Sequence, residues 1–158
     1  MATSIELPAD SVISLRAVDS DNVTDVINLS VSDGQDEFVA PNERSLAEAF
    51  AATHVWVRAI YRGDEPVGFM MLSDDETTPR YYLWRFMIDQ RFQRTGIGAV
   101  AMSLLHDYVR TRPGADRIFV AYVPEEGGPE GFYKGLGYAD TGTVHHGEVE
   151  AALELHTP

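Results

Sequence analysis

The 158-residue chain contains no cysteine, which excludes a disulfide framework, thiolate metal sites and a cysteine nucleophile. It has no apolar run near 18 residues, so no membrane-spanning helix is expected. Met1-Ala2-Thr3-Ser4-Ile5-Glu6 lacks a basic stretch followed by an apolar core, so no signal peptide is expected and the expected compartment is cytoplasmic. Internal repeats and low-complexity linkers are missing as well. Basic residues are scarce, 12 against 25 acids, for a net charge of −13. That balance argues against nucleic acid or an anionic membrane as partner. What remains is 44% hydrophobic and 23% charged, ordinary for one globular domain over residues 1–158 that buries roughly 70% of its unfolded surface.

The charge is unevenly spread. Residues 1–40 carry eight acids and only Arg16, and residues 124–158 carry seven acids and only Lys134. Between them, residues 41–123 balance ten acids with ten arginines. Acidic ends suit a cationic substrate, and the central arginines suit an anionic ligand.

Periodicity outlines the elements. Ser11 to Val18 alternates as a strand. Asp19-Ser20-Asp21 offers helix caps before Val23, Val26 and Ile27, and Ser45-Leu46-Ala47-Glu48 reads as a capping box opening a second helix. Val55–Tyr61 and Val67–Leu72 flank a hairpin signal at 62–66. Tyr81–Ile88 reads as a central strand. A helix over Gly96–Arg112 follows, with a stripe at Ile97, Val100, Ala101, Leu104, Leu105 and Tyr108. Then come a strand at Ile118–Val123, a short helix at Pro129–Leu136, and strands at Tyr138–Val144 and Glu148–Leu155. The order predicts an α/β (α+β) domain with a mostly antiparallel sheet and one β-α-β crossover at 81–123.

The loop between that central strand and helix carries the chemistry. Gln93-Arg94-Thr95-Gly96-Ile97-Gly98-Ala99 sets two glycines and a run of amides at a helix N-terminus, beside Arg91 and Arg94. Such a turn receives phosphate. The Walker A pattern fails because the loop has no lysine. Gly96-Ile97-Gly98-Ala99-Val100-Ala101 satisfies the dinucleotide pattern G-x-G-x-x-A, yet seven residues separate Ile88 from Gly96, too many for its tight turn. The pattern Gln/Arg-x-x-Gly-x-Gly/Ala fits at every defined position.

A second segment, Glu130-Gly131-Phe132-Tyr133-Lys134-Gly135-Leu136-Gly137-Tyr138, follows some thirty-five residues later. Together the two resemble the GNAT superfamily of N-acetyltransferases, over essentially the whole chain. Tyr82 to Asp89, Tyr122-Val123-Pro124-Glu125 and Gly147-Glu148-Val149-Glu150 resemble its bacterial spermine/spermidine (diamine) acetyltransferase branch. The resemblance implies a six- to seven-stranded GNAT sheet with about four helices, and acetyl-CoA in a V beside the central strand. Main-chain groups of Phe86, Met87 and Ile88 would then meet the pantetheine arm, and the amides of Gln93, Arg94, Thr95, Gly96, Ile97, Gly98 and Ala99 the pyrophosphate. Tyr133 would protonate the departing thiolate. Glu126 stands where the family usually has an asparagine facing the cofactor, and it cannot donate that amide hydrogen bond.

The acceptor side is less defined. Tyr82 and Trp84, two apart on one strand and so able to share a face, lie where the resemblance places the acceptor cleft, and aromatics there can pack around an ammonium group. Glu37 and Glu125 are the two carboxylates considered as general base. His145-His146 with Glu148 and Glu150 are read as a strand connection, and no metal is expected. The expected activity is acetyl-CoA-dependent transfer to a primary amine of a small cationic acceptor, a polyamine before others. An aminoglycoside-like or protein amino group, and a non-catalytic acyl-CoA sensor, remain open. A homodimer through exposed strand edges is also expected.

Overall fold

The structure, a computed structural model, describes residues 11–31 and 40–155. Strands β1 (Ile13–Ala17), β2 (Val55–Arg62), β3 (Glu65–Ser73), β4 (Tyr81–Ile88), β5 (Arg117–Tyr122), β6 (Ala139–His145) and β7 (Glu148–Glu154) form one sheet, ordered β1-β2-β3-β4-β5-β7-β6. Every neighbouring pair is antiparallel except β4 and β5. Helices α1 (Val23–Ile27) and α2 (Asn42–Ala51) precede β2, α3 (Ile97–Arg110) is the β4–β5 crossover, and α4 (Glu130–Gly135) follows β5. The mixed sheet, crossover and four helices match the expected architecture. No described helix is long and apolar enough to cross a membrane.

Alternation along the strands splits the core into two layers. Ile60, Met70, Leu72, Leu83, Ile118 and Val120 face α3 and α4, while Ala59, Tyr61, Phe69, Met71 and Met87 pack with Val26 of α1 and Leu46 of α2. The hairpin turn falls at Gly63–Asp64, since Arg62 pairs with Glu65. Pro66 sits opposite Tyr61 at a register shift, where a strand tolerates its missing N–H.

Three local expectations are corrected. α2 opens at Asn42 with Pro41 as N-cap, so Ser45 is inside the helix rather than capping it. Its hydroxyl is buried with no hydrogen-bond partner among the described residues. Asn22, rather than the Asp19–Asp21 run, is the cap residue of α1, and it makes no side-chain cap bond. It instead joins the end of β1 to the helix, donating to the Ala17 carbonyl at 3.0 Å and accepting from the Asp19 amide at 2.9 Å. The buried arc of α3 comprises Ile97, Ala101, Met102, Leu105, His106 and Val109, with Val100 exposed. Contacts from both the sheet and the α4–β6 junction draw the arc past the predicted stripe.

Candidate active site

β4 and β5 pair only at Tyr81 with Ile118 and Tyr82 with Phe119, the first two residues of β4. From Leu83 onward β4 stays bonded to β3 on one edge, and no described strand pairs its other edge. The parting begins at a bulge. Met71 pairs with Arg85 and Leu72 with Leu83, which leaves Trp84 as the extra residue. A bulge bends the strand that carries it. A cavity of about 930 Å³ occupies the gap, the size of a site for a sizeable organic ligand.

The lining comes from both faces of the sheet. From the α3–α4 side come Phe86, Gly98, Phe132 and Tyr133, and from the α1–α2 side Val31, Ala40, Pro41, Arg44 and Trp84. Phe86 and Phe132 stack with ring centroids 5.7 Å apart. A Cβ on Gly98 would rest 3.4 Å from the Phe132 ring, so that position is tight but passable.

At one end lies the loop that the sequence singled out. Asp89 starts a 3₁₀ turn over Gln90–Phe92 by accepting from the Arg91 amide. Gln93 Nε2 donates to the Ile88 carbonyl at 2.9 Å, and the Thr95 hydroxyl to the Phe92 carbonyl. Arg94 (φ +62°) and Gly96 (φ +84°) both enter the left-handed region, on either side of Thr95, as the chain turns into α3. Gly96 is the N-cap of α3 and makes no side-chain cap bond, so the first amides of this 14-residue helix remain open to a ligand.

Phe86, Met87, Ile88, Gln93, Arg94, Gly96, Ile97, Gly98 and Ala99 all border the cavity, as do Tyr82, Trp84 and Tyr133. Four expected residues do not. Arg91 pairs with the buried Asp89 at 2.8 Å and borders a separate hollow with Asp25, Asp64 and Glu65. Thr95 is tied down within its own turn. Glu125 and Glu126 are exposed in the β5–α4 loop, whose next residues Gly127, Gly128 and Pro129 do reach the cavity. Glu37 lies outside the described residues.

Tyr133 projects from α4 into an aromatic seat, with Phe132, Tyr138 and Tyr122 centroids at 5.4, 5.6 and 6.3 Å. Burial, with a smaller contribution from Tyr82, holds its phenol above the ordinary tyrosine value. Like any tyrosine it is protonated at neutral pH, and burial makes its phenol a weaker acid than usual. Behind it Tyr138 and His106 Nε2 share a hydrogen bond of 2.8 Å.

Sequence reasoning gave no site role to Arg44, Arg85, Tyr122, Phe132 or Glu148, all of which line the cavity. Glu48, expected in a capping box, instead accepts from Arg44 Nε and Arg85 Nη2, each at 3.1 Å. The Arg85 guanidinium lies 5.4 Å from the centre of the Trp84 ring, so a cation of the protein itself already rests there. For Glu148 a signal existed, because strand alternation with Glu150 aims both toward one face. For Arg44 there was none.

A cleft between parting parallel strands, closed at one end by an amide-rich helix start, defines an acyltransferase of the N-acetyltransferase type. Residues 23–138 match the family model for the Acetyltransferase (GNAT) family, and the chain belongs to that family. It is similar to the spermine/spermidine N(1)-acetyltransferase of Bacillus subtilis (strain 168), 25% identical over 150 residues covering 90% of this chain and 99% of that one. Among solved structures it resembles the spermidine N-acetyltransferase of Vibrio cholerae in complex with CoA and spermine. The TM-score is 0.70 at 13% identity, covering 90% and 95% of the two chains. It also resembles the ribosomal-protein-S18-alanine N-acetyltransferase of Escherichia coli, with TM-score 0.69 at 11% identity over 93% and 96%.

Proposed function

We propose that this N-acetyltransferase takes its acetyl group from acetyl-CoA and transfers it to a primary amine of a small cationic acceptor, a polyamine before others. The observation that carries the reading is the parting of β4 from β5 after two residue pairs, which leaves a free strand edge beside an amide-lined turn. The free edge at Phe86–Ile88 suits a pantetheine arm, and the turn at Gln93–Ala99 suits a pyrophosphate. The net charge of −13 and the named polyamine relative support the acceptor.

Acetyl-CoA supplies a thioester activated for acyl transfer. The chain must supply the rest. An alkylammonium group with a pKa near 10.4 is less than about one part in a thousand free base at pH 7, so a group must take its proton. Backbone amides along the free edge of β4 can stabilise the developing oxyanion. Tyr133, protonated at neutral pH and bordering the cavity, can give a proton to the leaving sulfur.

Arg44 and Arg85 favour a second reading of the acceptor. Two guanidiniums share a single carboxylate, Glu48, beside the acceptor half of the cleft, and an amine that also carries a carboxylate would satisfy them. Free-thiol release from acetyl-CoA decides between the two. The panel is spermine, spermidine, putrescine, lysine, an aminoglycoside and a lysine peptide, each against a no-amine blank. Rates that rise with polyamines alone are expected. A preference for lysine over putrescine would support the second reading. No release with any amine would overturn the transfer reaction.

A further inference from the structure

The transfer needs a proton acceptor, and neither carboxylate singled out from the sequence borders the cavity among the described residues. One carboxylate does: Glu148, at the start of β7. Its placement follows from strand register. Val149 pairs with Tyr122 and Glu150 with Ala121, and Tyr122 belongs to the α3–α4 layer. Alternation therefore turns Glu148 and Glu150 to the opposite face, the side from which Trp84 and Arg44 enter the cavity.

Tyr82 responds to these acids. Burial, then Glu148 and Glu150, hold its phenol above the ordinary value, with Arg85 and Arg80 opposing. The two acids differ in their commitments. Glu150 is engaged by the Arg80 guanidinium and the Thr141 hydroxyl. Glu148 has no side-chain hydrogen bond or ion pair among the described residues. It is also exposed, so a proton it takes can pass to solvent.

Resting on the acetyl-transfer reading, we propose that Glu148 receives the acceptor's ammonium group and removes its proton before attack. One N–H proton passes to a Glu148 carboxylate oxygen. The freed lone pair forms the C–N bond at the acetyl carbon, and the C–S electron pair leaves on sulfur, which takes the Tyr133 phenol proton. A second N–H proton, lost as the amide forms, restores Tyr133. One proton is released overall, from Glu148 to solvent.

Other titrating or charged groups surround Glu148: His145 opposite it on β6, His146 in the turn, Tyr82 on β4, and Glu150 with its Arg80 partner. The test must separate them. Initial rates of thiol release with spermidine and acetyl-CoA are measured from pH 6 to 10 for the wild type, Glu148→Gln and His145→Gln. For Glu148→Gln we expect kcat/KM for spermidine at pH 7 to fall about a hundredfold or more. Its profile should climb one for one with pH toward the pKa of the amine, while the affinity for acetyl-CoA is unchanged. His145→Gln should follow the wild type. An unchanged Glu148→Gln profile, a rise in KM alone at constant kcat, or a defect confined to His145→Gln would each overturn the role of Glu148. A wild type that releases no thiol with any amine fails differently, because the transfer reading then falls first.

Discussion

Any tyrosine keeps its proton at neutral pH, so what the aromatic seat of Phe132, Tyr138 and Tyr122 adds to Tyr133, proposed above as the general acid, is a fixed position, while burial raises its phenol and makes it a weaker acid. The same seat makes Tyr133→Phe a clean test. The ring contacts survive the substitution, and only the hydroxyl is lost. Thiol release with spermidine should lose about a hundredfold in kcat, with acetyl-CoA affinity by calorimetry within about twofold of wild type. A variant as fast as wild type would remove Tyr133 from the chemistry. The place of Tyr133 at the cavity was legible in the sequence because its helix, flanking glycines and aromatic neighbours form a contiguous pattern that carries the family resemblance. For Glu148 alternation marked only a face shared with Glu150; which way that face turns depends on pairing with β5, more than 25 residues away in the chain. Glu48 shows the opposite error: the local capping pattern fails because α2 already opens at Asn42 behind Pro41, and Glu48 meets Arg85 of β4 at 3.1 Å instead.

Elements were more legible than single contacts. The seven strands and four helices of the described residues follow the predicted order, because apolar periodicity persists through each and Gly or Pro interrupts most boundaries. What the sequence hid is the bulge at Trp84, since an extra residue in one strand exists only relative to its partner. The start of α3 supports two predictions that separate stability from binding. Gly96 holds φ +84°, and a Cβ at this position would meet no atom within 4 Å, so Gly96→Ala meets backbone strain and no clash. It should destabilise the fold by about 1–2 kcal/mol, read from urea unfolding. Gly98 has no such backbone demand and borders the cavity. Gly98→Trp should keep its melting temperature within a few degrees while abolishing CoA binding by calorimetry. Retained CoA affinity in that variant would overturn the assignment of the turn to the pyrophosphate.

At the scale of the whole molecule, charge and burial pull the acid stability in opposite directions. Protonating an acid-rich surface relieves self-repulsion and favours the compact state. His106 acts the other way. Burial, with Arg110 adding and Asp107 opposing, lowers its imidazole to about 4 from an ordinary 6.5, so the fold holds it neutral against Tyr138. Below pH 6.5 the unfolded chain takes up a proton that the folded one refuses. Stability is therefore lost progressively from about pH 6.5 down to about 4, and below that both states are protonated and no more is lost. The shift corresponds to about 3 kcal/mol, a large share of an ordinary domain's stability. Because this pair joins the middle of α3 to the residue that seats Tyr133, the acid loss should appear in global unfolding and in the aromatic near-UV signal together. Comparing wild type with His106→Gln isolates the contribution, since the surface charge effect is common to both. The variant should be less stable at pH 7, with the gap closing as pH falls to 4. Parallel stability curves over that range would mean that His106 does not set the acid limit of this fold.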